Sequence, residues 1–147
     1  MAKVCVFLAE GFEEVEGLTV VDLLRRAGVE VLMVSIGTSL EVTGSHGIKV
    51  SADRLFEEAD YSDADMLVLP GGMPGTLHLG EHKGLTELLI KFNEADKKVA
   101  AICAAPGVFG ANGILKGRKA TCYPGCEEKL KGAVLSEEAV VRDKNVT

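Results

Sequence analysis

Tryptophan is absent from this chain, and aromatic residues make up only 5% of it. A core built from such a sequence has to be aliphatic and alanine-rich. At 147 residues and 47% hydrophobic content, there is enough apolar material for one continuous core. Basic residues are also scarce: 16 Lys and Arg face 22 Asp and Glu, for a net charge of −6 and a pI near 5.1. That balance argues against a nucleic-acid partner, which would favour a basic face. It leaves a small-molecule substrate open. No segment approaches the roughly 18 apolar residues of a membrane span, and Met1 to Ala9 lacks a charged leader followed by a cleavage site. The expectation is a soluble, cytoplasmic protein with no membrane partner. In such a setting Cys5, Cys103, Cys122 and Cys126 are expected as reduced thiols, not as a disulfide framework. Histidine is sparse too. His46, His78 and His82 show no metal-ligand spacing with the cysteines. The His78 and His82 pair is spaced i, i+4 and offers two ligands, which do not close a zinc site. No metal is expected.

What the chain does contain is a regular alternation of apolar runs and helical periods. Lys3 to Ala9 is a short, near-continuous apolar run, which suits a strand covered on both faces. Val15, Leu18, Val21, Leu24 and Ala27 recur at helical spacing, and Gly28 stops the run. Val29 to Ile36 reads as a second buried strand, completing a βαβ unit. Gly37 to Val50 carries turn residues between short alternating pieces and predicts a β-ribbon. Asp53 to Ala59 suggests a helical turn. Met66 to Leu69 and Lys98 to Ile102 are further core strands, with a helix from Leu85 to Ala95 between them and a short one over Pro106 to Asn112. Lys119 to Cys122, Val140-Val141 and Asn145 to Thr147 read as peripheral strands. The pattern predicts a single α/β domain over residues 1–147 with a mostly parallel central sheet. Its end, strand-turn-strand with no helix to follow, leaves one sheet face uncovered. Truncation, or cover from another chain, is expected.

In an open parallel sheet, ligands bind beyond the carboxyl ends of the strands. Three segments fall at such ends: Glu10 to Glu16, Pro70 to Gly75, and Cys103 to Gly107. Val99 to Ile102 ends at Cys103, small residues allow a tight bend, and Pro106 suits the first turn of a helix. This is the logic of a nucleophile elbow with a thiol in place of a hydroxyl. Free N–H groups at a helix start should lower the thiol pKa. The alternative is a buried cysteine packing as a small hydrophobe. Pro70-Gly71-Gly72 can bring backbone N–H groups close to a ligand oxygen. Glu16 follows Val15 near the core-facing stripe. Turned inward, it is a carboxyl beside a thiol, partly protonated and able to donate a hydrogen bond. Cys122-Tyr123-Pro124-Gly125-Cys126 is a turn bearing two thiols, where a local disulfide is the alternative to the free thiols expected.

Four stretches in order resemble the ThiJ/PfpI family, in the subgroup of the parkinsonism-associated protein deglycase and the bacterial YajL-like proteins. They are Val6 to Glu16, Asp22 to Gly28, Leu69 to Gly72 and Ala101 to Pro106. The resemblance implies a flavodoxin-like three-layer sandwich with a small β-ribbon, working as a homodimer without a cofactor. It implies that Cys103 is the elbow nucleophile and Glu16 the carboxylic acid touching it. Gly72 and Ala104 match positions whose backbone N–H groups face the site, and Gly71, Tyr123 and Pro124 are candidates for the pocket. It also implies the function: a glyoxalase or deglycase acting on a small dicarbonyl or on glycated substrates. A redox-sensing chaperone with Cys103 oxidised to a sulfinate is the alternative. A cysteine peptidase or thiazole-phosphate synthesis role is weaker. Two departures stand out. Many relatives place a histidine in a Thr-x-His-Pro segment near the cysteine, and here Thr121-Cys122-Tyr123-Pro124 puts Tyr123 in that position. Relatives also continue through a Ser-Arg-Gly-Pro loop and a covering helix that this sequence does not contain.

Overall fold

A computed structural model describes residues 1–147. The apolar run near the N-terminus becomes β1 (Lys3–Leu8), the middle strand of a five-stranded parallel sheet. Its side chains alternate between two cores, as strand geometry requires. Val4, Val6 and Leu8 enter one apolar cluster, and Cys5, Phe7 and Ala9 enter the other. A strand apolar on both faces can only be stable with cover on both, and both faces are covered.

The first cover is α1 (Glu14–Arg26), which lays Gly17 and Val21 toward the cluster containing Val4, Val6, Leu8, Phe12 and Val31. Glu14 and Glu16 stand in its first turn and Arg25 and Arg26 in its last, so charge complements the helix dipole at both ends. The chain returns as β2 (Glu30–Ser35), parallel to β1. An antiparallel ribbon follows, β3 (Glu41–Thr43) with β4 (Lys49–Ser51), and then β5 (Arg54–Leu55) on the sheet edge beside β2. On the far side of β1 come β6 (Met66–Leu69) and β7 (Lys98–Ala101), giving the order β5-β2-β1-β6-β7. The opposite face is packed by α2 (Gly75–Glu81), α3 (Lys83–Glu94) and α4 (Pro106–Ala111), over a cluster that includes Leu67, Leu69, Leu89, Val99 and Phe109. Two short strands, β8 (Lys119–Ala120) and β9 (Val134–Leu135), pair in parallel as a separate ladder.

The structure departs from the sequence expectation in four places. The helical turn expected over Asp53 to Ala59 is divided between β5 and a 3-10 turn at Phe56–Glu58. The short helix α2 was hidden by Pro74, Gly75 and Gly80, which read as punctuation. The strand expected over Lys119 to Cys122 stops at Ala120, and its partner β9 falls outside any expected strand. Val140-Val141 forms no strand, while Val146 makes a parallel bridge to Val99 at the edge of β7. No helix is long and apolar enough to cross a membrane.

Candidate active site

Parallel strands deliver their carboxyl ends to one side of the sheet, so the segments after β1, β6 and β7 meet there. Cys103 follows β7 with φ of 63°, in the left-handed region that non-glycine residues avoid. Such strain survives only where the surroundings over-determine it. Here Ile102 N–H donates to the Leu69 carbonyl at 3.2 Å, and Ala105 N–H donates to the Ile102 carbonyl at 3.0 Å. Tyr123 N–H donates to the Cys103 carbonyl at 2.8 Å. Pro106, with its fixed φ and missing donor, opens α4 immediately afterwards. The thiol is thus held at a sharp turn, half-buried and free.

Glu16 reaches the same point from the first turn of α1. Glu13 caps that helix, its carboxylate accepting the Glu16 N–H at 3.2 Å. Gly71 N–H donates to Glu16 Oε1 at 3.1 Å, and the Glu16 carboxyl lies close enough to Cys103 to influence its thiol. Only glycine fits at position 71. A Cβ there would lie 2.5 Å from Glu16 Oε1 and 2.7 Å from the Cys103 Cβ. Gly72 has φ of 97°, and a Cβ on it would overlap the backbone of Phe12 and Glu13. The two glycines let the end of β6 touch both chemical groups. Gly71 supplies the N–H that meets Glu16. Ala104 N–H is near enough to the Cys103 sulfur to favour its thiolate.

The charge states follow from this packing. Burial pushes the Glu16 carboxyl above its ordinary range, the Glu13 charge adds to the rise, and the bonds from Cys103 and Gly71 oppose it. Burial also raises the Cys103 thiol, and the Glu16 charge raises it further, while Ala104 N–H pulls the other way. A helix start by itself should lower this thiol. The lowering contribution is present, but burial and the carboxylate outweigh it. When Glu16 carries a proton its repulsion vanishes, and it can donate to the thiolate instead.

Cys103 and Glu16 open into a cleft of about 580 Å³. Its lining is mostly apolar, from Val20, Ala100 and Phe109 to Val140 and Val146, with Tyr123 and Cys122 at the side. Tyr123 is well exposed, whereas Pro124 does not line the cleft. No histidine lines it either. His78 and His82 belong to a second pocket, with Glu10 and Glu81.

One cluster lies beyond linear sequence reasoning. The ribbon tip brings His46 to the start of α1, where His46 N–H donates to Glu14 Oε1 at 2.7 Å and its Nδ1 lies 2.8 Å from Glu14 Oε2 and 3.4 Å from Glu13 Oε1. Ser45 Oγ is 3.1 Å from the same ring nitrogen. Glu13, Glu14 and His46 place ligand atoms within 4.8 Å of one another, but both Glu14 oxygens are already engaged by His46. Only the tertiary fold joins residues so far apart, so no spacing signal announced them.

A parallel α/β sheet with a thiol on a strained strand-to-helix elbow, beside a half-buried carboxyl, defines a cysteine-centred α/β protein. The chain belongs to the DJ-1/PfpI family, which matches it over residues 2–147. It is 41% identical over 145 residues to protein DJ-1 homolog A of Arabidopsis thaliana, covering 98% of this chain and 37% of that protein. It therefore spans little more than a third of that plant relative. It is 36% identical over 132 residues to a Pyrococcus abyssi protein named a deglycase, covering 89% of this chain and 78% of that one. The crystal structure of a cysteine-to-alanine mutant of a DJ-1 superfamily protein from Salmonella typhimurium superposes with a TM-score of 0.94 at 33% identity, covering 99% of this chain and 80% of that one.

Proposed function

We propose that the protein is a cofactor-free glyoxalase or deglycase that uses Cys103 against small dicarbonyls such as methylglyoxal, or against the adducts they leave on proteins, as a cytoplasmic homodimer. The observation that carries this reading is the meeting of Glu16 and Cys103 against Gly71 at the elbow, both lining one mostly apolar cleft. A relative named a deglycase supports it.

The Cys103 thiolate adds to the aldehyde carbon and forms a hemithioacetal. Glu16 accepts the proton from that carbon and returns it to the neighbouring one, leaving a lactoyl thioester. Water then releases lactate and restores the thiol. Backbone N–H groups around the elbow, Ala104 foremost and Gly72 in the expected pattern, steady the oxygen as charge develops on it. Cys103→Ala is expected to abolish lactate formation from methylglyoxal, followed by lactate assay. Equal rates in wild type and variant would end this reading.

The half-buried, unpaired state of Cys103 favours a second reading, in which oxidation of that thiol to a sulfinate, steadied by protonated Glu16, makes the protein a redox-sensing chaperone. A peptidase reading is weaker, because no histidine lines the cleft to act as base.

A further inference from the structure

The His46 cluster lies outside the cleft, yet a continuous set of short bonds joins it to Glu16. Glu14 is the one charged residue buried in the chain, 4% exposed, and His46 is its only side-chain partner. The ribbon tip closes over this carboxylate, so that a Cβ on Gly44 would overlap Glu14 Oε1. The tip is also tied to the loop before α1. Gly11 N–H donates to the Thr43 carbonyl at 2.8 Å, and Ser45 N–H donates to the Phe12 carbonyl at 2.8 Å. Ribbon tip, loop and helix start are fastened as one piece.

Glu13 connects that piece to Glu16. Its Oε1 lies 3.4 Å from His46 Nδ1, and its Oε2 accepts the Glu16 N–H at 3.2 Å. Glu13 N–H donates to the Gly71 carbonyl at 2.9 Å, and Gly71 N–H donates to Glu16 Oε1 at 3.1 Å. Glu13, Gly71 and Glu16 therefore close a ring of hydrogen bonds, with His46 on its outer side and Cys103 on its inner side. No lysine or arginine comes within ion-pair distance of Glu13, Glu14 or Glu16, so His46 is the only basic side chain that serves them. Its Nδ1 faces carboxylate oxygens and must keep its hydrogen there, which leaves Nε2 as the atom that titrates. The ring can gain or lose charge without breaking its bond to Glu14.

We propose that His46 is a positioning residue for the dicarbonyl reaction, an inference that rests on that reading: through Glu13 and Glu14 it sets how firmly Glu16 holds its proton. Protonated His46 offsets the Glu13 charge, and Glu16 gives up its proton more readily to act as base. Neutral His46 leaves the Glu13 charge uncompensated, and Glu16 keeps its proton longer. The bond to Glu14 keeps His46 protonated past its ordinary range, so the positive charge is in place where a carboxyl titrates. A unit charge one carboxylate away, next to water, is worth about a two- to threefold change in a proton equilibrium at low salt.

The test is a carbon-13 NMR titration of the side-chain carboxyls at low salt, on wild type, His46→Gln, His46→Lys and Glu13→Gln. The Glu16 signal is assigned by its loss in Glu16→Gln. His46→Gln is expected to raise the proton affinity of Glu16 about two- to threefold. His46→Lys keeps a positive charge and should restore the wild-type titration. Glu13→Gln keeps a cap acceptor, loses the charge, and should weaken proton binding by a similar factor. High salt should erase these differences. In the lactate assay, kcat of His46→Gln should fall about two- to threefold on the acid side of the pH profile and match wild type at alkaline pH, with KM unchanged. Packing alone would move the glutamine and lysine variants alike. Identical Glu16 titrations in those two would overturn the proposal, and so would an unmoved titration in Glu13→Gln, whatever the His46 variants do. The NMR readout uses no dicarbonyl. If Glu16 moves as expected while no lactate forms, the dicarbonyl reading fails and the link from His46 to Glu16 stands. If lactate forms and the titrations coincide, the reverse holds.

Discussion

The chemistry of Cys103 turns on a single neighbour, Glu16. Its charge is the second cause of the raised thiol pKa, after burial. Replacing it with glutamine removes that charge and keeps the shape. Glu16→Gln is expected to move the pH profile of Cys103 alkylation to lower pH, measured with iodoacetamide over a pH series. An unmoved profile would mean that Glu16 is already protonated when the thiol ionises. The same variant should slow lactate formation by about 10²- to 10⁴-fold, the usual worth of a positioned acid or base. Cys5 serves as an internal contrast. It is fully buried, its thiol is pushed up to about 11, and it should stay unlabelled in the native state. Cys103 was legible in the sequence because a strand, small residues and Pro106 form a local pattern, whereas the stripe argument for Glu16 fails, since Val15 is exposed and the buried positions of α1 are Glu14, Gly17 and Val21, so that Glu16 was legible through the family resemblance. The direction of the thiol shift was not legible. It depends on how deeply β6 and α1 bury the group, which no local pattern encodes.

At the scale of elements, the contact of the ribbon with α1 is the least obvious from sequence. Gly44 to Gly47 reads as a turn, and nothing in it says that His46 reaches Glu14. Burial pushes the Glu14 carboxyl up, but the His46 ring and N–H more than offset this, and its pKa ends lowered. The hydrogen bond to Glu14 raises His46. A group with a raised pKa stabilises the fold below its ordinary value and loses that effect as pH climbs through the raised one. A carboxyl with a lowered pKa does so above its ordinary value and fails as pH falls through the lowered one. The ion pair is therefore strongest between about pH 4.5 and pH 6.5, the ordinary values of the two groups, and fades at higher pH. Thermal melts of wild type and His46→Gln should differ most in that window and converge at alkaline pH. A constant difference at all pH values would show that the pair does not act through charge. The elements read correctly, β1, α1, β6 and α4 among them, have strong periodicity or a clear stop. α2 and β9 are short and gain their order from packing, not from propensity.

On the scale of the whole molecule, the resemblance implies a homodimer, and the surface gives that expectation a place to act. Val15 and Leu23 on α1 are 69% and 60% exposed, a high degree for large apolar side chains on a helix. Sedimentation at micromolar concentration is expected to give a dimer. A stable monomer there would overturn the expectation. The α/β class and parallel sheet were legible from alternation alone. The strand order was not, because the placement of β5 and β7 at the two edges is settled by tertiary pairing. Those edges have a bearing on solubility under stress. β5 is only two residues long, and the outer side of β7 is satisfied by Asn145 and Thr147, whose backbones bond Val99 and Ala101 at 3.0 to 3.1 Å. Asn145 itself is clamped by Asn93, Lys97 and Arg118. Neither edge offers a long open ladder for another strand to join. Removing residues 143–147 would strip that guard from Val99-Ala100-Ala101, an apolar run with free N–H and C=O groups. Such a protein is expected to form thioflavin-positive fibrils on gentle heating where residues 1–147 stay clear, which would make the Asp143–Thr147 turn a safeguard against amyloid.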